Sequence, residues 1–563
     1  MKNLLMLTAS AAALAISAPA AAQAVNNQST ITQDGTQLDA AVVQSGTTNE
    51  STIDQTGAWN EADVEQSGTN ATSTIEQTGD GTNENRRNQA KVTQSGNSAE
   101  SVIEQGIGTG DDRNEAEVTQ IGDSRSFITQ SGRVQDAEVF QDGDGNASDI
   151  FQSGNSNDVG NPLNGANTGV VQTGDNNTSL IDQDPSSYVN ASVAQTGDAN
   201  NSTVDQSDTL GGAGGNQSFA DVVQTGDGNF SNIRQAGSIQ PAVLDADVLQ
   251  LGDDGDSSIT QTGARNTASV TQDSNGNVIG NDSTVIQQGE DATATINQTG
   301  TGNTSTATQG SPNRTTGLQT LTVIQGGSGN TSTATQFGSE NEASVLQLGT
   351  DNTSTITQPG FDNGVGDGEP TNLASVGVIQ IGDMNQSTVS QSANGGSALI
   401  RQVGFEEVST VTQTGRANGA SAIVEQLGFR NESTITQNAP EPADGGPGRN
   451  MTARVTQGGA GNTSTVDQTN DLAIADVSDN LVDVLQLGIG GTSTVSQNGV
   501  LNTAGLEQVG FNNESTIMQT GEGNTALVGQ GSFNNQSMVT QNGDNNSASV
   551  SQGGTAAPAA PTR

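Results

Sequence analysis

Residues 49–66 read NESTIDQTGAWNEADVEQ, and this stretch holds both variants of a phrase that recurs from Gln33 to Gln552. Each phrase ends with an apolar residue, any residue and Gln, followed by Gly two residues later and often by Asn five residues later. The glutamines return at a spacing of eleven over long parts of the chain. A short period kept over a whole chain indicates a stacked array of structural repeats.

The true repeat is two phrases long, or 22 residues, because two kinds of segment alternate. Ser-type segments resemble Ser51–Gln55 (STIDQ), and Ala-type segments resemble Ala62–Gln66 (ADVEQ). About 42 such segments pair into roughly 21 units. Insertions follow Ser-type segments almost throughout, and the clear exception lies between Gln272 and Gln287. Insertions confined to one edge are typical of a solenoid.

Alternation within each segment predicts β-strands. Asn60, Ala62, Val64 and Gln66 occupy every second position, with carboxylates between them, and this is the period of a strand. The small, apolar and amide residues are expected to face inward, and the carboxylates are expected to face water. The Gly that follows each Gln permits a turn between strands.

These patterns predict an all-β fold, a β-solenoid of about 21 stacked strand-turn-strand rungs with cross-β, amyloid-like geometry. Rows of Asn and Gln are expected to bond to the same amide in the next rung and so to form ladders. The candidate residues for this core ladder and for self-assembly are Ser51, Ile53, Gln55, Gly57, Asn60, Ala62, Val64, Gln66, Gln261, Gly263, Asn266, Ala268, Gln272, Gln519, Gly521, Asn524, Ala526 and Gln530.

Composition restricts the functions that this chain can have. It is 30% hydrophobic and 2% aromatic with a net charge of −46, which alone would suggest disorder, but the periodicity favours an ordered stack. No His or Cys is present, and Lys2 and Lys91 are the only lysines, so an enzyme, a cofactor and a zinc site are not expected. The negative charge disfavours nucleic acid.

Acidic residues are expected to form rows on the outer surface. Asp54, Glu76 and Glu104 share one outward position on successive Ser-type segments. Solubility through like-charge repulsion is the simpler interpretation, and weak binding of divalent cations is the alternative.

The chain is predicted to have three parts. Residues 1–24 have the lysine, apolar run and small-residue cleavage pattern of a secretory signal peptide. Residues 25–552 form one continuous repeat domain, and residues 553–563 form a short Ala/Pro tail. We therefore expect an extracellular protein. Strand pattern runs to both ends of the repeat domain without a capping element, which favours addition of further copies end to end.

The repeats resemble those of the curlin family, which forms bacterial curli fibres. The matching phrase is Gln55, Gly57, Asn60, Ala62 and Gln66, and the same spacing recurs from Gln261 to Gln272 and from Gln519 to Gln530. The resemblance implies an extracellular amyloid of the biofilm matrix, exported through an outer-membrane secretion pore and started by a nucleator at the cell surface. The chain departs from the family in its larger number of rungs and in lacking a Gly-rich segment before the first repeat.

A different class of function is a discrete secreted solenoid that acts as a binding module or adhesin. Its candidate ligand-binding loops are Asn155–Asn167 and Phe361–Asn372. Thr-x-Thr pairs such as Thr306 and Thr308 resemble those of ice-binding solenoids, and Gly-Asp-rich turns such as Asp142–Asn146 resemble fragments of calcium loops. Ice binding and calcium binding are the weaker alternatives.

Overall fold

A computed structural model describes residues 26–80, 87–106, 113–155, 158–159, 169–187, 189–206, 218–237, 243–274, 279–310, 318–338, 340–359, 364–365, 377–392, 395–415, 420–439, 451–470 and 479–561. The chain divides into two compact units, Met1–Gln250 and Leu251–Arg563. The predicted signal peptide at residues 1–24 and most of the two predicted ligand-binding loops lie outside these ranges. No helix in the described part of the chain is long and apolar enough to cross a bilayer.

The described residues of the first unit form nineteen strands, the last of which extends one residue beyond the unit. They are β1 (Gln28–Thr36), β2 (Asp39–Gln44), β3 (Glu50–Ala58), β4 (Asn60–Gln66), β5 (Thr72–Asp80), β6 (Asn88–Gln94), β7 (Glu100–Gly106), β8 (Asn114–Ile121), β9 (Arg125–Arg133), β10 (Gln135–Asp142), β11 (Ala147–Asn155), β12 (Asp158–Val159), β13 (Val170–Thr173), β14 (Thr178–Ser187), β15 (Val189–Thr196), β16 (Asn201–Asp205), β17 (Ser218–Thr225), β18 (Phe230–Ala236) and β19 (Leu244–Leu251).

The second unit has the same kind of strand throughout. Its strands are β20 (Asp256–Ala264), β21 (Asn266–Asp273), β22 (Asp282–Glu290), β23 (Ala292–Thr301), β24 (Thr304–Gly310), β25 (Gln319–Ser328), β26 (Thr331–Gln336), β27 (Glu342–Thr350), β28 (Thr353–Gln358), β29 (Gly364–Val365), β30 (Val378–Asp383), β31 (Gln386–Gln391), β32 (Ser397–Phe405), β33 (Val408–Gly415), β34 (Ser421–Phe429), β35 (Glu432–Ala439), β36 (Met451–Ala460), β37 (Thr463–Thr469), β38 (Asn480–Ile489), β39 (Thr492–Val500), β40 (Thr503–Phe511), β41 (Glu514–Glu522), β42 (Thr525–Phe533), β43 (Gln536–Asn542) and β44 (Ser547–Gln552).

In each unit the strands form two parallel sheets, one of Ser-type and one of Ala-type segments. Equivalent strands of successive repeats pair in register, so Ser51 lies opposite Ser73 and Gln55 lies opposite Gln77. The pair β11 and β14 departs from this register after Gln152. The Ala-type strands pair in the same way, with Ala62 opposite Ala90. The predicted all-β solenoid is therefore confirmed. The solenoid has about 18 turns, so the number of about 21 rungs predicted from the sequence was only approximate.

Between the two sheets lies a thin core of alanine and branched apolar side chains. Burial alternates along the strands as predicted, so that in β4 the residues Ala62 and Val64 are buried while Asp63 and Glu65 are exposed. Ser-type strands contribute Ile53 and its equivalents, and Ala-type strands contribute Val64 and its equivalents. Each side chain is covered by its equivalents in the neighbouring rungs, which compensates for the low apolar content.

Most of the turns that link the sheets have glycine two residues after the Gln, although Ser274 and Ser532 occupy this position in two described rungs. Gly263 has a φ of +109°, and a Cβ built on it would lie 1.9 Å from the carbonyl oxygen of Gly289 in the next rung. Both the left-handed conformation and this close approach therefore exclude other residues. Arg265, two residues later, also has a positive φ of 56°, so the turn also holds a non-glycine residue in a conformation that L-residues disfavour.

Two of the longest insertions interrupt a strand instead of extending a loop. Asp158 and Val159, inside the predicted loop Asn155–Asn167, pair with Asp136 and Ala137, the first half of an Ala-type strand. The second half is supplied by β13, where Val170 lies opposite Val139. The other insertion has the same arrangement, in which β29 and β30 each pair with a different part of β27. Part of each predicted ligand-binding loop therefore belongs to a sheet.

Candidate assembly site: the glutamine and asparagine ladders

The buried glutamines form continuous hydrogen-bonded rows inside each unit. Gln55 donates from Nε2 to Oε1 of Gln77 at 2.8 Å, and Gln77 donates in the same way to Gln105. The Ala-type glutamines form a second row, in which Gln66 donates to Gln94 at 2.8 Å. In the second unit the rows run through Gln519 to Gln541 and through Gln530 to Gln552, each at 2.9 Å. Within each unit, every one of these amides donates to the glutamine of the following rung.

The second N–H of each amide binds the opposite sheet. Gln55 Nε2 donates to the carbonyl of Asp39 at 2.9 Å, and Gln66 Nε2 donates to the carbonyl of Glu50 at 3.1 Å. In both cases the acceptor lies 16 residues earlier, at the start of the preceding strand. One amide thus joins adjacent rungs and also joins the two sheets of a rung. Because these groups are buried, loss of either hydrogen bond would leave a polar atom that no water molecule can reach to replace the lost partner.

Asparagines form shorter rows at the turns that precede the strands. Asn303 donates from both its backbone N and its Nδ2 to Oδ1 of Asn281, each at 3.1 Å. Asn330, Asn352 and Asn385 continue the row in the same way. The side chains thereby satisfy backbone groups that the turn leaves outside the sheet.

The structure places the predicted ladder residues in these rows and in the core beside them. The buried members, with exposed fractions of at most 2%, are Ser51, Ile53, Gln55, Asn60, Ala62, Val64, Gln66, Gln261, Asn266, Ala268, Gln272, Gln519, Asn524, Ala526 and Gln530. The glycines Gly57, Gly263 and Gly521 occupy turns, with φ between +104° and +115°. The role of all these predicted ladder residues in self-assembly stays a prediction.

Ser51 differs from the amides because its hydroxyl has no hydrogen-bond partner, and the same is true of Ser73 and Ser101 in the following rungs. The serine row therefore fills space in the core without forming a ladder. Hydroxyl contacts among the described serines of this row join Ser257 with Ser283 at 3.4 Å, Ser464 with Ser493 at 2.9 Å, and Ser515 with Ser537 at 3.0 Å.

Glu407 occupies an asparagine position and was not among the residues predicted from the sequence. It is completely buried between Asn385 and Asn431. Its backbone N donates to Asn385 Oδ1 at 3.1 Å, and its carboxyl oxygens accept from N and Nδ2 of Asn431 at 3.0 and 3.1 Å. Burial raises the pKa of Glu407 to about 7. Its place five residues after Gln402, in the phase of the asparagines, was the signal that could have identified it.

The outward carboxylates form the predicted rows. Asp54 lies opposite Glu76, which lies opposite Glu104. On the other sheet, the pKa values of Asp136 and Asp247 are both raised to about 6. Burial is the main cause, and repulsion from neighbouring carboxylates adds to it. Within the described ranges no group of three or more acidic side chains is placed to hold a metal ion.

A parallel, in-register β-solenoid with buried amide ladders is the class of protein that this geometry defines. The family model described as the curlin associated repeat matches the chain at five places, residues 49–79, 320–349, 327–360, 492–521 and 502–531. The predicted resemblance to curlin repeats is thereby confirmed at those residues, which include the phrases at Gln55–Gln66 and Gln519–Gln530. The phrase at Gln261–Gln272 lies outside the matched residues. A search among curated proteins gives no match.

Proposed function

We propose that the protein is a secreted structural subunit that assembles end to end by β-stacking into extracellular, curli-like amyloid fibres. The curlin repeats and the solenoid fold fit a structural protein of this kind. The fibres would serve the biofilm matrix, adhesion and cell aggregation. By the same resemblance, an outer-membrane secretion pore and a surface nucleator are the proposed partners.

The observation that carries this proposal is that each rung contacts the next through the same set of bonds. Strand Glu50–Ala58 meets strand Thr72–Asp80 in register, and the two glutamine rows add one amide bond per sheet. A rung from another copy offers the same backbone groups and the same amides at the same positions. Addition of a copy therefore needs no new kind of contact, only continuation of an existing one.

Assembly of the purified chain without its predicted signal peptide tests the proposal. Diluted from denaturant, it should form fibres that bind amyloid dyes, diffract at about 4.8 Å along the fibre axis and shorten the lag phase when added as seeds. A matched pair of variants tests whether fibre growth depends on the glutamine ladder. Gln519→Leu should slow seeded growth strongly, whereas Thr516→Ala, an outward substitution on the same strand, should leave it nearly unchanged.

Two outcomes would contradict the proposal. A chain that remains a monodisperse particle at high concentration, with or without seeds, would instead favour a discrete binding solenoid or adhesin. Equal slowing by the two variants would show that the buried amide row has no special part in growth.

A further inference from the structure

An exposed apolar strip runs along one turn edge of the second unit. Two turn positions, one and three residues after the Gln of each Ala-type strand, form straight columns because the rungs are in register. We call this strip, from Leu348 to Phe533, the apolar edge. Its large exposed side chains are Leu348, Ile381, Leu427, Phe429, Leu487, Ile489, Phe511 and Phe533, with exposed fractions from 38% to 64%.

One of these two turn positions, three residues after the Gln, carries the opposite chemistry in the first unit. Five consecutive rungs place an exposed aspartate three residues after the Gln, and each carboxylate from the second rung onward accepts the backbone N–H of the aspartate in the rung before it, at 2.8 to 3.0 Å. These residues are Asp123, Asp144, Asp175, Asp198 and Asp227. Turn geometry therefore does not require apolar residues at this position, so the apolar edge needs another explanation.

Two ion pairs lie beside the apolar edge. Arg430 forms an ion pair with Glu406, and Nη2 of Arg454 lies 3.1 Å from Oε2 of Glu425. Within the two columns from Leu348 to Phe533, Asp383 is the one charged residue. In a chain with a net charge of −46, this is a surface on which two copies can approach without strong repulsion.

Size and shape favour a second copy as the partner. The exposed parts of these side chains amount to on the order of 700 Å², close to the roughly 800 Å² per partner of a stable interface. The Phe511 and Phe533 rings are already stacked, with centroids 5.1 Å apart and planes 7° apart, so little side-chain freedom is lost on contact. Turn positions that recur once per rung are matched by the same positions of another copy at the same spacing.

We propose that the apolar edge is a docking surface for the same edge of a second copy of this chain, so that two solenoids pair side by side. An isologous contact about a two-fold axis places the middle of one edge against the middle of the other. This pairing goes beyond end-to-end growth and does not depend on it, since it can occur between copies before any fibre forms.

Sedimentation velocity of the freshly refolded chain, before fibres appear, tests the pairing. We expect a concentration-dependent dimer, and the triple variant Phe429→Ser, Ile489→Ser, Phe533→Ser should weaken it by roughly 100-fold or more. The control variant Phe151→Ser, Met518→Ser, Met538→Ser removes side chains exposed by 39%, 42% and 74% elsewhere, and it should leave the dimer unchanged. A wild-type monomer, or equal weakening by both triple variants, would overturn the proposal.

Cross-linking gives a second readout that does not depend on affinity. The chain contains no cysteine, so Phe429→Cys introduces a single thiol near the middle of the apolar edge. It should oxidise to a covalent dimer much faster than Phe151→Cys. Equal rates would refute the pairing, as would a monomer that binds neutral phosphatidylcholine vesicles through this edge.

Fibres that still form from the first triple variant, but as unpaired filaments, would support the pairing independently of growth.

Discussion

Glu407 provides a quantitative test of the ladder geometry, because a single ionisable side chain stands in a buried row of amides. Its pKa rises from an ordinary 4.5 to about 7, since burial removes the carboxylate from water and the hydrogen bonds from Asn431 offset only part of that cost. One pKa unit corresponds to about 1.4 kcal/mol, so the shift corresponds to about 3 kcal/mol.

The sign of the pH dependence follows from proton binding. Between the ordinary pKa and the raised pKa of Glu407, the folded rung holds its proton more strongly than the unfolded chain does. The free energy that keeps the β33 rung closed is therefore greatest at acid pH and decreases by about 3 kcal/mol as the pH rises through about 7. The variant Glu407→Asn restores the amide and should abolish this decrease.

Hydrogen exchange of the backbone amides in β33 measures the effect locally, which is necessary because a long repeat array does not unfold in two states. After correction for intrinsic exchange, opening of β33 in the wild type should become roughly 100-fold more frequent between about pH 5 and about pH 8. Glu407→Asn should show little change, and Glu432→Gln, an exposed substitution in the next rung, should behave like the wild type. Identical profiles for the wild type and Glu407→Asn would refute the reasoning.

Five further substitutions test other parts of the fold. Gln347→Leu removes a fully buried amide that donates to the next glutamine at 2.8 Å and to a carbonyl at 3.0 Å, and it should destabilise strand β27 by about 3 kcal/mol in hydrogen exchange. Gly349→Ala places a Cβ 2.1 Å from a backbone oxygen, whereas Gly461→Ala meets nothing within 4 Å. The first should therefore cost several-fold more than the ~1 kcal/mol of left-handed strain expected for the second. Ser433→Ala removes a buried hydroxyl without a partner and should be neutral or stabilising, whereas Ser493→Ala breaks a 2.9 Å contact and should cost about 1 kcal/mol.

Residue periodicity was enough to predict the solenoid and the inward or outward direction of its side chains. Alternation around Ala62 and Val64 gave the buried face, and the fixed phase of Gln55 and Gln66 gave the rows of amides. Such features depend only on strand period and on stacking of equal rungs, both of which are visible in one dimension.

Other features depend on distances between segments that the periodicity does not contain. The second bond of Gln55, to the carbonyl of Asp39, requires the separation of the two sheets. Division of one strand between β12 and β13 requires knowledge of where a strand resumes after an insertion. The apolar edge was not predicted from the sequence, because its residues are spread over eight repeats and become neighbours only when the turns are stacked.

Fibres labelled with ¹³C at the single tryptophan, Trp59, test most directly whether growth proceeds by stacking of solenoids. Stacking of solenoids should give a meridional reflection at about 4.8 Å together with an absence of dipolar coupling between Trp59 labels, because neighbouring rungs come from different repeats of the same chain. A coupling that corresponds to a spacing of about 5 Å would show that each chain adds a single layer in register with its copies. That result, or the absence of the meridional reflection, would refute growth by stacking of solenoids.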